Sequence, residues 1–106
     1  MINEIRAFLH YTERDYPLYF WRNSNGVEVD IILETSNGFV AIEFKYGNRW
    51  EKRFNRGMHK LSAALGKGKV SCCGVFMGDR TLLLDDIVVH PALDFLKRLW
   101  AEEIIS

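Results

Sequence analysis

The sequence predicts an α/β domain from three patterns. Residues 27–45, V-E-V-D-I-I-L-E-T-S-N-G-F-V-A-I-E-F-K, hold two runs alternating with period two around Asn37-Gly38, as the strands of a hairpin do. Val70–Met77 is an almost continuous apolar run, suited to a strand covered on both faces. Three other stretches repeat apolar residues at helical spacing: Glu4–Tyr11, Glu51–Leu65 and the segment opened by Pro91.

In chain order, the first helix turns Ile5, Phe8 and Leu9 inward. Pro17 sets up an extended entry to an aromatic strand, Leu18–Asn23, in which Tyr19 and Trp21 share a parity and are expected in the core. Ser24-Asn25-Gly26 reads as a turn into the hairpin. Glu51–Leu65 carries Phe54, Met58, Leu61 and Leu65 as its buried stripe, and Gly66 ends it. Gly57 weakens this helix by up to about 1 kcal/mol relative to alanine, which implies close packing there. Thr81–Leu84 and Ile87–His90 are short strands, and Pro91 opens the last helix with Leu93, Leu96 and Trp100 along its apolar side and Phe95 and Leu99 flanking them. Trp50 is expected to pack over the core at a rim, although it could also stack a base.

Length and composition narrow the class. A chain of 106 residues is one domain and needs no disulfide or metal to fold. With 48% hydrophobic and 26% charged residues it matches an ordinary globular protein rather than a disordered or membrane-embedded one. No apolar run approaches the roughly 18 residues of a membrane span, and the first residues do not read as a signal peptide. Cys72 and Cys73 sit together in an apolar strand without a second pair at zinc-ligand spacing, as reduced cysteines of a cytoplasmic protein would. There is no Walker A motif, glycine-rich dinucleotide loop or G-x-S-x-G elbow.

The hairpin gathers the chemistry. With Asn37 and Gly38 as its two loop residues, Asp30 lies opposite Lys45 and Glu43 is one diagonal step away, roughly 7–8 Å at Cβ. Glu28, Asp30, Glu43 and Lys45 then form one polar cluster. The formal net charge is zero but uneven. Residues 1–44 hold three basic and seven acidic side chains, residues 45–69 eight and one, and residues 70–106 three and six. A basic block following a carboxylate cluster suits a polyanion drawn to a metal site, or is simply a solvated helix face. Within it Arg49, Lys52, Arg53, Arg56 and Lys60 are the candidate nucleic-acid contacts, and Arg22 stands either near phosphate or paired with Glu28 or Glu34.

Asp30 followed by Glu43-Phe44-Lys45 resembles the D…ExK core of the PD-(D/E)xK nuclease superfamily. The longer string Pro17-Leu18-Tyr19-Phe20-Trp21-Arg22, Gly26-Val27-Glu28-Val29-Asp30 and Ala41-Ile42-Glu43-Phe44-Lys45 is similar to an uncharacterised domain usually found C-terminal to an AAA+ ATPase module, and Val88-Val89-His90-Pro91 with Phe95-Leu96 resembles its ending. The resemblance implies a restriction-endonuclease-like core, a mixed central sheet flanked by helices. It implies that residues 1–106 are the C-terminal part of a longer, ATPase-containing protein. It also implies that Asp30, Glu43 and the Phe44 carbonyl hold Mg²⁺ (or Mn²⁺), with Lys45 as the catalytic lysine, Glu28 supporting it, and DNA as the partner. Glu4 falls where related nucleases place a helix glutamate near the metal, or is a solvated helix-end carboxylate. The competing reading is a catalytically inactive nuclease-fold module that docks on a protein or regulates the ATPase.

Overall fold

The computed structural model describes residues 1–22 and 28–105; the expected turn at 24–26, with Asn23 and Val27, lies outside them. Six strands form one mixed sheet: β1 Leu18–Arg22, β2 Glu28–Thr35, β3 Gly38–Phe44, β4 Val70–Phe76, β5 Leu82–Leu84 and β6 Ile87–Pro91. Their order is β1-β2-β3-β4-β6-β5. The β1–β2, β2–β3 and β5–β6 pairs are antiparallel, whereas β3–β4 and β4–β6 are parallel. Helices cover both faces. On one side α1 (Ile2–Tyr11) and α3 (Ala92–Trp100) bring Ile5, Phe8, Leu9, Phe95 and Leu99 onto Ile31, Leu33, Ile42 and Val75. On the other, α2 (Arg56–Leu65) and the 3₁₀ turn Lys52–Asn55 before it lay Met58 and Phe54 over Ile32, Ala41, Phe76 and Val89. Sandwiching explains the apolar run of β4, whose Cys73 and Val75 face one helix layer and Phe76 the other.

The hairpin departs from the expected register. Thr35 pairs with Gly38 and Ile31 with Ile42, so the two loop residues are Ser36 and Asn37, not Asn37 and Gly38. The Thr35 hydroxyl closes this loop, donating to the Gly38 carbonyl at 3.0 Å and accepting from the Asn37 N–H at 3.3 Å. Gly38 serves a different need: at φ +134° a Cβ there would lie 2.5 Å from the Lys69 carbonyl oxygen, where β4 begins alongside β3. The loop length stays even, so the shift moves which residues face each other without exchanging the faces of β3.

A second departure lies in β2. Tyr19 pairs with Ile32 and Trp21 with Val29, which sets Asp30 and Ile31 against the single residue Phe20. This is a β-bulge, and it breaks the alternation at the start of the strand. Val29 therefore joins the cluster of Ile32 and Ala41 rather than that of Ile31 and Leu33. Trp21 packs on the same cluster. Tyr19, on edge strand β1, is exposed instead of buried, and its hydroxyl donates to Glu34 at 3.3 Å.

The helices differ in phase and length from their expected forms. Glu51–Leu65 is not one helix, because Asn55 is pulled into the core, where its amide donates to the Leu84 carbonyl at 3.0 Å and accepts from the Trp50 indole at 2.8 Å. Within α2 Met58 is fully buried, whereas Leu65, at the last turn of the helix, is exposed. Pro91 ends β6 and caps α3 rather than opening it. In α3 the buried stripe is Phe95 and Leu99 flanked by Ala92 and Leu96, with Leu93 turned outward and Trp100 half-exposed, its ring edge to face with Phe8 and Tyr11 of α1. Both sets lie on one helical face, so spacing does not choose between them; packing against α1 and the sheet selects 92, 95, 96 and 99.

Candidate active site at the carboxyl end of the parallel strands

The ladder between β2 and β3 stops at Ile31–Ile42, and two carboxylates continue it. The Asp30 N–H donates to Glu43 Oε1 at 3.1 Å, and the Phe44 N–H donates to Asp30 Oδ2 at 2.9 Å. The bulge makes this possible, since it releases Asp30 from strict alternation just where the strands stop pairing. Each carboxylate thus binds the backbone across from it, and the two side chains meet. Asp30 faces Glu43 in this register, not Lys45, which brings the acids closer than the expected diagonal.

Glu43 is only 2% exposed. Burial first, then its hydrogen bond with Asp30 and the Asp30 charge, push its carboxyl from the ordinary 4.5 up to about 8, with Lys45 pulling the other way. Lys45 Nζ stands 3.9 Å from Glu43 Oε2 and 3.8 Å from Glu28 Oε1, and 4.6 Å above the Phe54 ring. Glu28 in turn takes Arg22 Nε at 3.1 Å. The group therefore runs Arg22–Glu28–Lys45–Glu43–Asp30, three acids against two bases.

The position of α2 is fixed by a missing side chain. A Cβ on Gly57 would lie 2.1 Å from the Glu28 carbonyl oxygen and 3.1 Å from a Val29 methyl. The helix therefore rests directly on the first residues of β2, as the glycine in its first turn implies. Arg49, Lys52, Arg53, Arg56 and Lys60 are all exposed, and Arg53 pairs with Glu51 at 2.8 Å.

Of the residues expected at the site, Glu28, Asp30, Glu43, Phe44 and Lys45 come together, with Arg22 joined through Glu28. Glu4 does not join them by any hydrogen bond or ion pair among the described residues; it lies in the first turn of α1. Among the described residues no group of three or more His, Cys, Asp or Glu side chains is arranged to hold a metal ion, so a cation here would rest on two carboxylates and backbone. Asn55 escaped the sequence reading, although an Asn five residues after a Trp in a polar stretch was its only signal. Trp50 is buried and not a free stacking surface, its ring lying over Gly74, where a Cβ would be 2.6 Å away.

The fold and the site define an α/β domain with an acid–lysine cluster at the carboxyl ends of parallel strands, where open α/β sheets commonly bind ligands. Residues 1–95 match the family described as a domain of unknown function (DUF4143), and the chain belongs to that family. A search of curated proteins finds no match. No helix among the described residues is long and apolar enough to cross a membrane.

Proposed function

We propose that the domain is a divalent-cation-dependent phosphodiesterase of the PD-(D/E)xK type that acts on DNA in association with an ATPase. The observation that carries this reading is the pairing of Asp30 with a buried Glu43 beside Lys45. A buried carboxylate pressed against a half-buried one weakens a fold unless something positive joins them, and Lys45 stands at ion-pair distance, not in hydrogen-bond contact. The donors also fit the cation. Each carboxylate gives one oxygen to a backbone N–H, and the two carboxylates, with the Phe44 carbonyl that the nuclease resemblance assigns, would offer a hard all-oxygen set of the kind Mg²⁺ prefers.

A bound Mg²⁺ or Mn²⁺ would supply charge stabilisation and a more acidic water. The residues do the rest. Asp30 and Glu43 hold the cation. Lys45 orients the attacking water and meets the negative charge that grows on the phosphate in the transition state. Glu28 holds the Lys45 ammonium in place from the other side. Exposed Arg49, Lys52, Arg53, Arg56 and Lys60 offer contacts to the nucleic-acid backbone.

Thermal melts with and without Mn²⁺, on wild type and Asp30→Asn, test the reading. Wild type should gain about 2.7 kcal/mol at a hundredfold excess over Kd, and Asp30→Asn should gain nothing. Lys45→Ala should keep the metal-dependent gain and lose cleavage, because its role lies in the transition state. A second reading has its own support: both carboxylates already close the β2–β3 ladder, a structural task that needs no cation. A docking module of this kind shows no metal-dependent melting and no cleavage, and Asp30→Asn leaves its binding to the ATPase intact.

A further inference from the structure

The loops beyond β3 and β4 enclose a second feature at the same end of the sheet. A cleft of about 360 Å³ is lined by Asn48, Arg49, Trp50, Phe76, Arg80 and Leu82, with Gly78 and Asp79 completing its wall. Its floor is apolar and held rigid. The Trp50 and Phe76 rings meet edge to face at 6.3 Å, and the Trp50 indole is tied to Asn55. Two glycines make room for these rings: a Cβ on Gly74 would lie 2.6 Å from Trp50, and one on Gly78 would lie 2.3 Å from Phe76. The Met77 N–H donates to the Gly47 carbonyl at 3.0 Å, which fastens the loop carrying Asn48 and Arg49 to the end of β4.

The rim is cationic. Arg49 is exposed and has no ion-pair partner among the described residues. Arg80 is exposed and among the described residues pairs only with its neighbour Asp79, at 3.9 Å in open water, a pairing of little strength. Two guanidiniums over a fixed apolar floor, whose Trp50 and Phe76 rings are nearly covered and offer van der Waals contact rather than an open stacking face, with an Asn48 amide able both to donate and to accept, match a phosphate that carries a sugar or base. The cleft also adjoins the acid–lysine group: Lys45 lies over Phe54, and Phe54 meets Trp50 edge to face at 5.4 Å.

We infer that this cleft holds one nucleotide unit, its phosphate between Arg49 and Arg80 and its base or sugar against the floor of Phe76, Leu82 and Trp50. The inference rests on the nucleic-acid reading of the neighbouring site and gives it a substrate anchor. The same chemistry is presented by a free mononucleotide and by the phosphorylated end of a strand.

Titration of the full chain at low salt in EDTA, followed by tryptophan fluorescence, tests it without any cation. The probes are thymidine 5′-monophosphate, inorganic phosphate, and a short thymidine oligonucleotide with and without a 5′-phosphate. The mononucleotide should bind more tightly than inorganic phosphate, and the double substitution Arg49→Ala with Arg80→Ala should weaken it by about tenfold or more. Tighter binding of the phosphorylated oligonucleotide than of the mononucleotide identifies a strand end as the occupant; the reverse order identifies a free nucleotide. Both arginines are exposed, so the variant should keep its circular dichroism and melting temperature. Equal affinity for phosphate and nucleotide would overturn the inference, as would binding unchanged in the double variant or absent in wild type. Wild type separates the two proposals. Nucleotide binding by a wild-type protein that shows neither metal-dependent melting nor cleavage leaves the cleft standing and removes the nuclease reading.

Discussion

Glu43 makes the stability of this domain depend on pH in an unusual direction. A carboxyl group whose folded pKa is raised binds its proton more tightly in the native state than in the unfolded chain. Its stabilising effect is therefore complete below the unfolded value and is lost as pH rises through the folded one. For Glu43 that window runs from about 4.5 to about 8. A tenfold change in a proton equilibrium is about 1.4 kcal/mol, so ionising Glu43 in place costs the fold about 5 kcal/mol at most. Relaxation of Asp30 and closer approach of Lys45 will reduce this figure. Glu43→Gln removes the ionisation and keeps an oxygen that can accept the Asp30 N–H. Urea unfolding at pH 5, 7 and 9 should show wild type losing stability as pH rises, and Glu43→Gln staying nearly level. The variant should be the more stable protein at pH 9 and about equal at pH 5. A wild type whose unfolding midpoint is flat over this range would refute the burial argument, as would a Gln variant that falls just as steeply. Because a bound cation needs the carboxylate, Mn²⁺ affinity should also rise with pH up to about 8.

Gly57→Ala would drive a Cβ into the Glu28 carbonyl at 2.1 Å, so it should destabilise by about 2–4 kcal/mol in chemical unfolding, against the usual gain for Gly→Ala in a helix. A neutral result would mean that α2 can slide away from β2. Asn55→Ala strands the buried Trp50 indole N–H and the Leu84 carbonyl, and should cost about 1–3 kcal/mol with a change in tryptophan emission. If Lys52, Arg53, Arg56 and Lys60 meet phosphates, replacing Lys52 and Lys60 by alanine should lower the slope of log affinity against log salt by about 0.9 for each phosphate no longer neutralised. An unchanged slope returns this face to solvent.

The extent to which the site could be read from the chain depends on how local each cause was. Period-two alternation placed Glu28, Asp30, Glu43 and Lys45 on adjoining strands, because the pleat dictates side-chain direction residue by residue. The apolar run of β4, the inward residues of α1 and the tight contact implied by Gly57 were equally local signals. Register was not. Asn-Gly favours a turn through its own backbone preference, but Gly38 is required where Lys69 crosses, and that close approach moved the loop to Ser36-Asn37. The bulge at Asp30 and Ile31 has no mark in the alternation, since it answers to the partner strand, and it alone turns Val29 towards α2. Asn55 looked like one more polar residue of an amphipathic helix; only the Trp50 indole and a carbonyl brought beside it from β5 gave it partners and delayed the start of α2 to Arg56. The sequence by itself determined which residues carry charge and which strands carry the acids. The tertiary structure decided which acid faces which, and how deeply Glu43 is buried, because opposition and desolvation are set by neighbours distant in the chain.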